Sequence, residues 1–119
     1  MHKLIALTVF AALAAAPAAL AKERNLSMIG APAAPFAGQA WMVTIKVTID
    51  GRAADGLGPM VRVIGAKGRT IYAASKPTSA AGIYRARVVF PTAGTWRVVA
   101  LDRYSGRSYE FKRVTVRDV

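Results

Sequence analysis

The sequence predicts an all-β protein, an antiparallel β-sandwich of about seven short strands. Apolar and polar residues alternate with a period of two from residue 41 to residue 49. The same alternation recurs over residues 83–90 and 96–100, with the turn-forming Pro91 and Gly94 between these two runs. Successive side chains of a strand point to opposite faces, so each run can bury one face and leave the other in water. No helical periodicity interrupts the strand patterns beyond the N-terminal region.

The first 21 residues have the pattern of a helical secretory signal peptide. Lys3 precedes an apolar run, and Ala19-Leu20-Ala21 has the small-x-small form of a cleavage site. Cleavage there leaves 98 of the 119 residues, which predicts one domain over 22–119, located in the periplasm or outside the cell. The alternative is an uncleaved N-terminal anchor, because the run approaches the ~20 residues that span a bilayer. No second apolar run is as long, so we expect no stable membrane span after cleavage.

The chain after the cleavage site begins with a short edge strand, in which Leu26 and Met28 share one face. A segment with two prolines follows. We expect an extended connector there and not a paired strand, because proline cannot donate a hydrogen bond to a strand ladder. Residues 41–49 form the clearest strand, half-buried in an antiparallel sheet. Asp50-Gly51 then predicts a tight hairpin turn.

Five further strands complete the predicted sandwich. Residues 60–66 form a third strand and residues 70–74 a short one, followed by a polar loop over 75–81 around Pro77. The two strands over 83–90 and 96–100 come next. The last strand, over 108–117, changes its buried parity halfway, which predicts a β-bulge near Lys112-Arg113 because a bulge inserts one extra residue.

The pattern Gly-x-Tyr-x-Ala-x-Val-x-Phe-Pro-x-Ala-Gly-x-Trp-x-Val over residues 82–98 resembles the end of the YtkA-like domain. The segment from Gly38 through 41–49 to Asp50-Gly51 is similar to the same family, so the resemblance covers most of residues 38–99. It implies an immunoglobulin-like sandwich and an exported bacterial binding or accessory module. Some relatives belong to copper or respiratory-oxidase contexts, which would imply histidine and methionine clusters that this chain lacks.

The composition argues against most enzymatic mechanisms. The chain has no cysteine, and its single histidine, His2, lies in the signal peptide. Thiolate chemistry, disulfides and the usual general base near neutral pH are therefore missing from residues 22–119. The six acids are scattered, and no nucleophile elbow or phosphate-binding loop occurs. We therefore expect no enzyme, no catalytic residues, no cofactor and no metal site.

Two metal sites are weaker alternatives. Met28, Met42 and Met60 could hold Cu(I) if their thioethers converged, since soft ligands select that ion; the structural interpretation is that they fill core and surface. Asp50 and Asp55 flank a glycine-rich loop and could bind calcium, but hard cations need six or more oxygens. Two carboxylates five residues apart are more typical of turns.

The positive charge is the strongest signal outside the fold. The chain has 17 Lys and Arg against six acids, and cleavage would leave a net charge of +10. Arg85 and Arg87 share one outer face, and Arg97, Arg113 and Arg117 are expected to share another. This charge favours an anionic envelope component or an acidic protein as partner, against the alternative of a merely solvated surface. Export disfavours nucleic acid.

The final hairpin is the predicted contact with a partner, by analogy with loops at the end of a sandwich. The candidate residues are Arg103, Tyr104, Arg107 and Lys112, and Asp102-Arg103 is expected to form a surface ion pair. The function expected from the sequence is therefore a non-enzymatic accessory module of the bacterial envelope. The alternatives are a methionine-based copper handler and a purely structural domain without a specific ligand.

Overall fold

A computed structural model describes residues 23–30, 32–56 and 58–119, and the predicted signal peptide over 1–21 lies outside them. The strands are β1 (Arg24–Ile29), β2 (Ala40–Ile49), β3 (Arg52–Ala53), β4 (Met60–Ile64), β5 (Thr70–Pro77), β6 (Ile83–Val89), β7 (Gly94–Leu101) and β8 (Ser108–Val116). Within the described ranges the only helical element is the short 3-10 turn Ala66–Gly68, so the all-β prediction is confirmed. None of the described residues belongs to a helix with the length and hydropathy needed to cross a membrane.

All named strands pair antiparallel, in the order β1-β2-β6-β5-β4-β7-β8, with the two-residue β3 added beside β2. The path curls until its two outer strands meet, where the Tyr109 hydroxyl on β8 donates a hydrogen bond of 2.9 Å to the Arg24 carbonyl on β1. The proline-containing connector after β1 runs along β8 and forms a parallel bridge between Phe36 and Arg117. This curling brings the apolar faces of the strands together around one core.

Strand β5 belongs to two neighbours in turn. Residues 70–74 pair with β4, and residues 75–77 pair with β6. At the crossing Ser75 is buried, and both its amide (3.3 Å) and its hydroxyl (2.6 Å) donate to the Pro59 carbonyl. The prediction of a polar loop over 75–81 is therefore wrong for its first three residues. Pro77 can end the strand because it lies opposite Tyr84 at the last pair of the ladder.

The core confirms the predicted inward faces of the central strands. Trp41, Phe90 and Trp96 are buried, with ring centroids 5.6 Å apart for the first two and 5.5 Å apart for the last two. The indole of Trp41 donates to the Ala33 carbonyl at 2.7 Å, and that of Trp96 to the Thr92 carbonyl at 3.0 Å. Each large ring therefore buries its apolar surface while its one polar atom stays hydrogen-bonded.

The predicted β-bulge exists and lies one residue earlier than expected. Val98 pairs with Lys112 and Val99 pairs with Glu110, so Phe111 is the extra residue on β8. The outward-facing Val99 is also buried, which the alternation did not predict. It lies across from Arg62 on β4 and Glu110 on β8, and long stems on both sides can cover a small outward side chain.

The Asp50-Gly51 hairpin is confirmed. Both residues have positive φ, 51° and 78°, as a type I′ turn requires. After the turn, only the two residues of β3 pair with β2. The next residue, Ala54, donates its amide to the Val47 carbonyl at 3.0 Å.

Candidate functional site

Three chain connections meet at one end of the fold. We call residues 50–56, 58–59, 78–82 and 102–107, which follow β2, β5 and β7, the loop end. The Asp55 carboxylate accepts the Gly82 amide at 3.0 Å, and the Arg103 guanidinium donates to the Gly58 carbonyl at 2.8 Å. These two bonds tie the three connections to one another, so the loop end is a single surface held by the strands beneath it.

The final hairpin is built around a buried carboxylate. Asp102 is only 1% exposed and accepts a 2.7 Å hydrogen bond from the Arg24 guanidinium. It also accepts the Tyr104 amide at 3.0 Å and the Ser105 hydroxyl at 2.9 Å. Its backbone closes the turn, because the Gly106 amide donates to its carbonyl at 2.8 Å. One side chain therefore holds both the hairpin and the start of β1.

The prediction of a surface ion pair between Asp102 and Arg103 is wrong. Asp102 pairs with Arg24, and Arg103 reaches Gly58. Burial alone would raise the pKa of Asp102, but the hydrogen bonds from Arg24, Tyr104 and Ser105 hold that pKa below its usual value. The carboxylate therefore stays ionised inside the fold near neutral pH.

A sequence signal for this buried pair existed. Asp102 continues the inward parity of β7, two residues beyond the buried Ala100. Arg24 likewise precedes the buried Leu26 by two residues on β1. An acid and a base that both lie on a buried parity are candidates for each other, since buried charges are almost always paired.

The structure brings together three of the four residues predicted to bind a partner. Tyr104 is 60% exposed, and its ring lies under the Arg24 guanidinium at 4.5 Å. Arg103 and Arg107 lie on the same hairpin, with the Arg107 guanidinium 5.4 Å from the partly buried ring of Tyr109. Tyr109 itself packs against the core.

Lys112 does not belong to this group. It lies beyond the bulge on β8 and lines a separate depression with Trp41 and the connector residues 32–35. Residues 108–111 of β8, which include the extra residue Phe111, lie between Lys112 and the hairpin.

The two predicted basic faces are present on the sheet surfaces. Arg85 and Arg87 are exposed on β6. On the other side, Arg97 lies directly across from Arg113 and forms an ion pair with Glu110. The hydrogen bond from Arg97 holds the pKa of Glu110 below its usual value.

The candidate metal ligands do not converge. Met28 packs against the core, Met42 is exposed on the opposite face of the same pair of strands, and Met60 lies on β4. Asp50 accepts the Glu23 amide at 3.0 Å, and Asp55 accepts an amide within the loop end. The described part of the chain contains no group of three histidine, cysteine or carboxylate side chains that could hold a metal ion.

Comparison with protein-family models finds no match for this chain, and comparison with the curated proteins finds none.

Proposed function

We propose that this chain is an exported, non-enzymatic binding module of the bacterial envelope that contacts a protein partner with its loop end. In this proposal it is an immunoglobulin-like sandwich related to the YtkA-like domain, and residues 1–21 are removed on export. The observation that carries the proposal is the hairpin around Asp102, which is held in one conformation while Tyr104 stays exposed. A preorganised aromatic side chain loses little freedom on binding, which favours association.

The strand order supports the immunoglobulin-like assignment. Immunoglobulin-type sandwiches place their first, second and fifth strands in one sheet and the third, sixth and seventh in the other. Here β1, β2 and β6 are neighbours, as are β4, β7 and β8, with β5 at the seam. If β3 is counted as part of the preceding hairpin, the two orders agree.

The charge of the loop end favours a protein over an anionic polymer as its partner. Basic Arg103 and Arg107 lie on the hairpin, while Asp50 and Asp55 lie on the neighbouring connection. A surface with both signs of charge has no strong attraction to a uniformly anionic surface, but it can match the mixed polar rim of a protein interface.

In-cell photocrosslinking tests the proposal. A benzoylphenylalanine replaces Tyr104 and keeps an aromatic ring against Arg24. A matched probe replaces Ala66, which is exposed on the 3-10 turn between β4 and β5. We expect one protein to crosslink at position 104 and not at position 66, as identified by mass spectrometry.

Arg107→Glu in the Tyr104 probe protein should weaken that crosslink. Arg107 is the better choice than Arg103, because charge reversal at Arg103 would also remove its hydrogen bond to Gly58 and loosen the loop end. Equal crosslinking from positions 104 and 66 would refute the proposed contact.

A further inference from the structure

Strand β6 has an open edge where β5 leaves it. The pairing between the two strands ends at Ser75 and Ala86, because the preceding residues of β5 pair with β4. The pairing of β6 with β2 continues to Val89. Beyond the Arg87 amide, β6 therefore has a strand neighbour only on the side of β2. The diverging strands leave a groove of about 460 Å³. Its lining includes Met42, Tyr72, Ala74, Lys76, Arg85 and Arg87.

The backbone of this edge faces the groove. The Gly82 carbonyl accepts a hydrogen bond from the Val47 amide, on the side of β2. The Ile83 carbonyl accepts one at 2.9 Å from the amide of Thr78, which follows β5, so it points to the opposite side. Peptide groups alternate sides along an antiparallel strand. Ser75 and Ala86 are not themselves hydrogen-bonded, so the bonds beside them are made by the flanking residues, and the Arg87 amide faces the Ala74 carbonyl. Beyond that bond, the Arg87 carbonyl and the Val89 amide point away from β2, on the side where the ladder with β5 has ended. Unpaired strand edges of this kind are templates for another strand.

The charged side chains that line the groove are all basic. Lys76 lies directly across from Arg85, and Arg87 follows on the same outward face. No carboxylate shares that face on β1, β2 or β6. Like charges directly across a strand pair are destabilising, so an anionic group bound beside them would relieve their repulsion.

We propose that the open edge of β6 binds an extended acidic peptide segment by strand addition. The segment would alternate carboxylate residues, which face Arg87, Arg85 and Lys76, with small apolar residues, which face Ala73 inside the groove. Main-chain hydrogen bonds would supply affinity and the alternate side chains specificity. This site lies on a sheet edge and goes beyond the protein contact proposed for the loop end.

Fluorescence anisotropy of the full chain with a labelled decapeptide of alternating Glu and Val tests the proposal. We expect saturable binding of this peptide and none of the matching Lys and Val peptide. Arg87→Glu should weaken binding roughly tenfold or more, since a charge-assisted contact is lost. Arg113→Glu changes the net charge equally on β8 and should change binding by no more than about twofold, because distant charges are screened at physiological salt. Equal losses in the two variants would overturn the proposal.

A second measurement leaves the protein unchanged. Two peptides carry N-methyl groups on alternate amides, one on the odd and one on the even positions, so that each loses the donors along one edge. Strand addition predicts that one of the two loses binding and the other keeps it, because only one edge of the peptide faces β6. Equal binding of both peptides, or equal competition by phosphatidylglycerol vesicles, would mean attraction to negative charge alone and would overturn the proposal.

Discussion

Replacing Asp102 with alanine should destabilise the protein more than any other single loss of a carboxylate in the described part of the chain. Asp102 accepts hydrogen bonds from Arg24, from the Tyr104 amide and from the Ser105 hydroxyl. Alanine removes the two carboxylate oxygens that accept all three hydrogen bonds. It also leaves the Arg24 guanidinium, whose side chain is 18% exposed, without its counter-charge.

The magnitude follows from these contacts. All three hydrogen bonds have the charged carboxylate as a partner, and each would contribute about 1.5–3 kcal/mol taken alone. The cost of burying the carboxylate opposes this sum, so the expected loss in the free energy of unfolding is the ~3–5 kcal/mol typical of removing one partner of a buried pair, about 4 kcal/mol. For a domain of this size, the melting temperature should fall by roughly 15–30 °C.

Urea unfolding followed by tryptophan fluorescence measures this loss. Asp118→Ala is the matched control, because Asp118 is exposed near the C-terminus; its effect should stay within about 0.5 kcal/mol. In a double-mutant cycle, the variant that carries both Arg24→Ala and Asp102→Ala should lose less free energy of unfolding than the two single variants lose in sum. The difference, which is the coupling energy, should be about 1–3 kcal/mol. If Asp102→Ala and Asp118→Ala have equal stability, the buried pair does not hold the hairpin.

Three further outcomes follow from the packing and the titrating groups. Because the pKa of Asp102 is lowered in the folded state, its stabilisation is present above the unfolded pKa of about 3.9 and is lost as pH falls through the folded pKa; acid unfolding curves should be less steep for Asp102→Ala than for the unaltered protein. Gly65→Ala would bring a Cβ to 2.9 Å from the Trp96 ring and should cost about 1–3 kcal/mol in denaturant unfolding. Tyr84→Phe removes the hydroxyl that donates to the Ala54 carbonyl at 3.2 Å and should cost about 1 kcal/mol in a calorimetric melt, whereas no loss would mean that water replaces the bond.

Alternation along single strands was enough to predict most of the fold. The inward sets on β2, β6 and β7 are buried as predicted, because a strand that faces a core must separate apolar from polar residues with a period of two. The parity change on the last strand likewise predicted a bulge near Lys112-Arg113, and the extra residue is the neighbouring Phe111. Each of these features depends only on the order of apolar and polar residues within one strand.

The features that the sequence did not predict depend on residues far apart in the chain. Asp102 pairs with Arg24, 78 positions away; the parity of each strand indicates that each residue faces inward, but it does not identify the two as partners. The strand at residues 75–77 contains a serine, a lysine and a proline, a composition typical of loops. These residues form a strand because they pair with β6. The predicted partner residues were chosen by their position near one turn, which groups Arg103, Tyr104 and Arg107 but overestimates the reach of Lys112.

The crossing of β5 has a consequence for how the protein comes apart. Its first half is bonded to β4 and its second half to β6, and Ser75 anchors the crossing to Pro59. Neither group of strands can detach as an intact layer without breaking one half of this shared strand. Local opening of the β4-β7-β8 side is therefore coupled to opening of the β1-β2-β6 side, and both belong to one cooperative unit of hydrogen exchange.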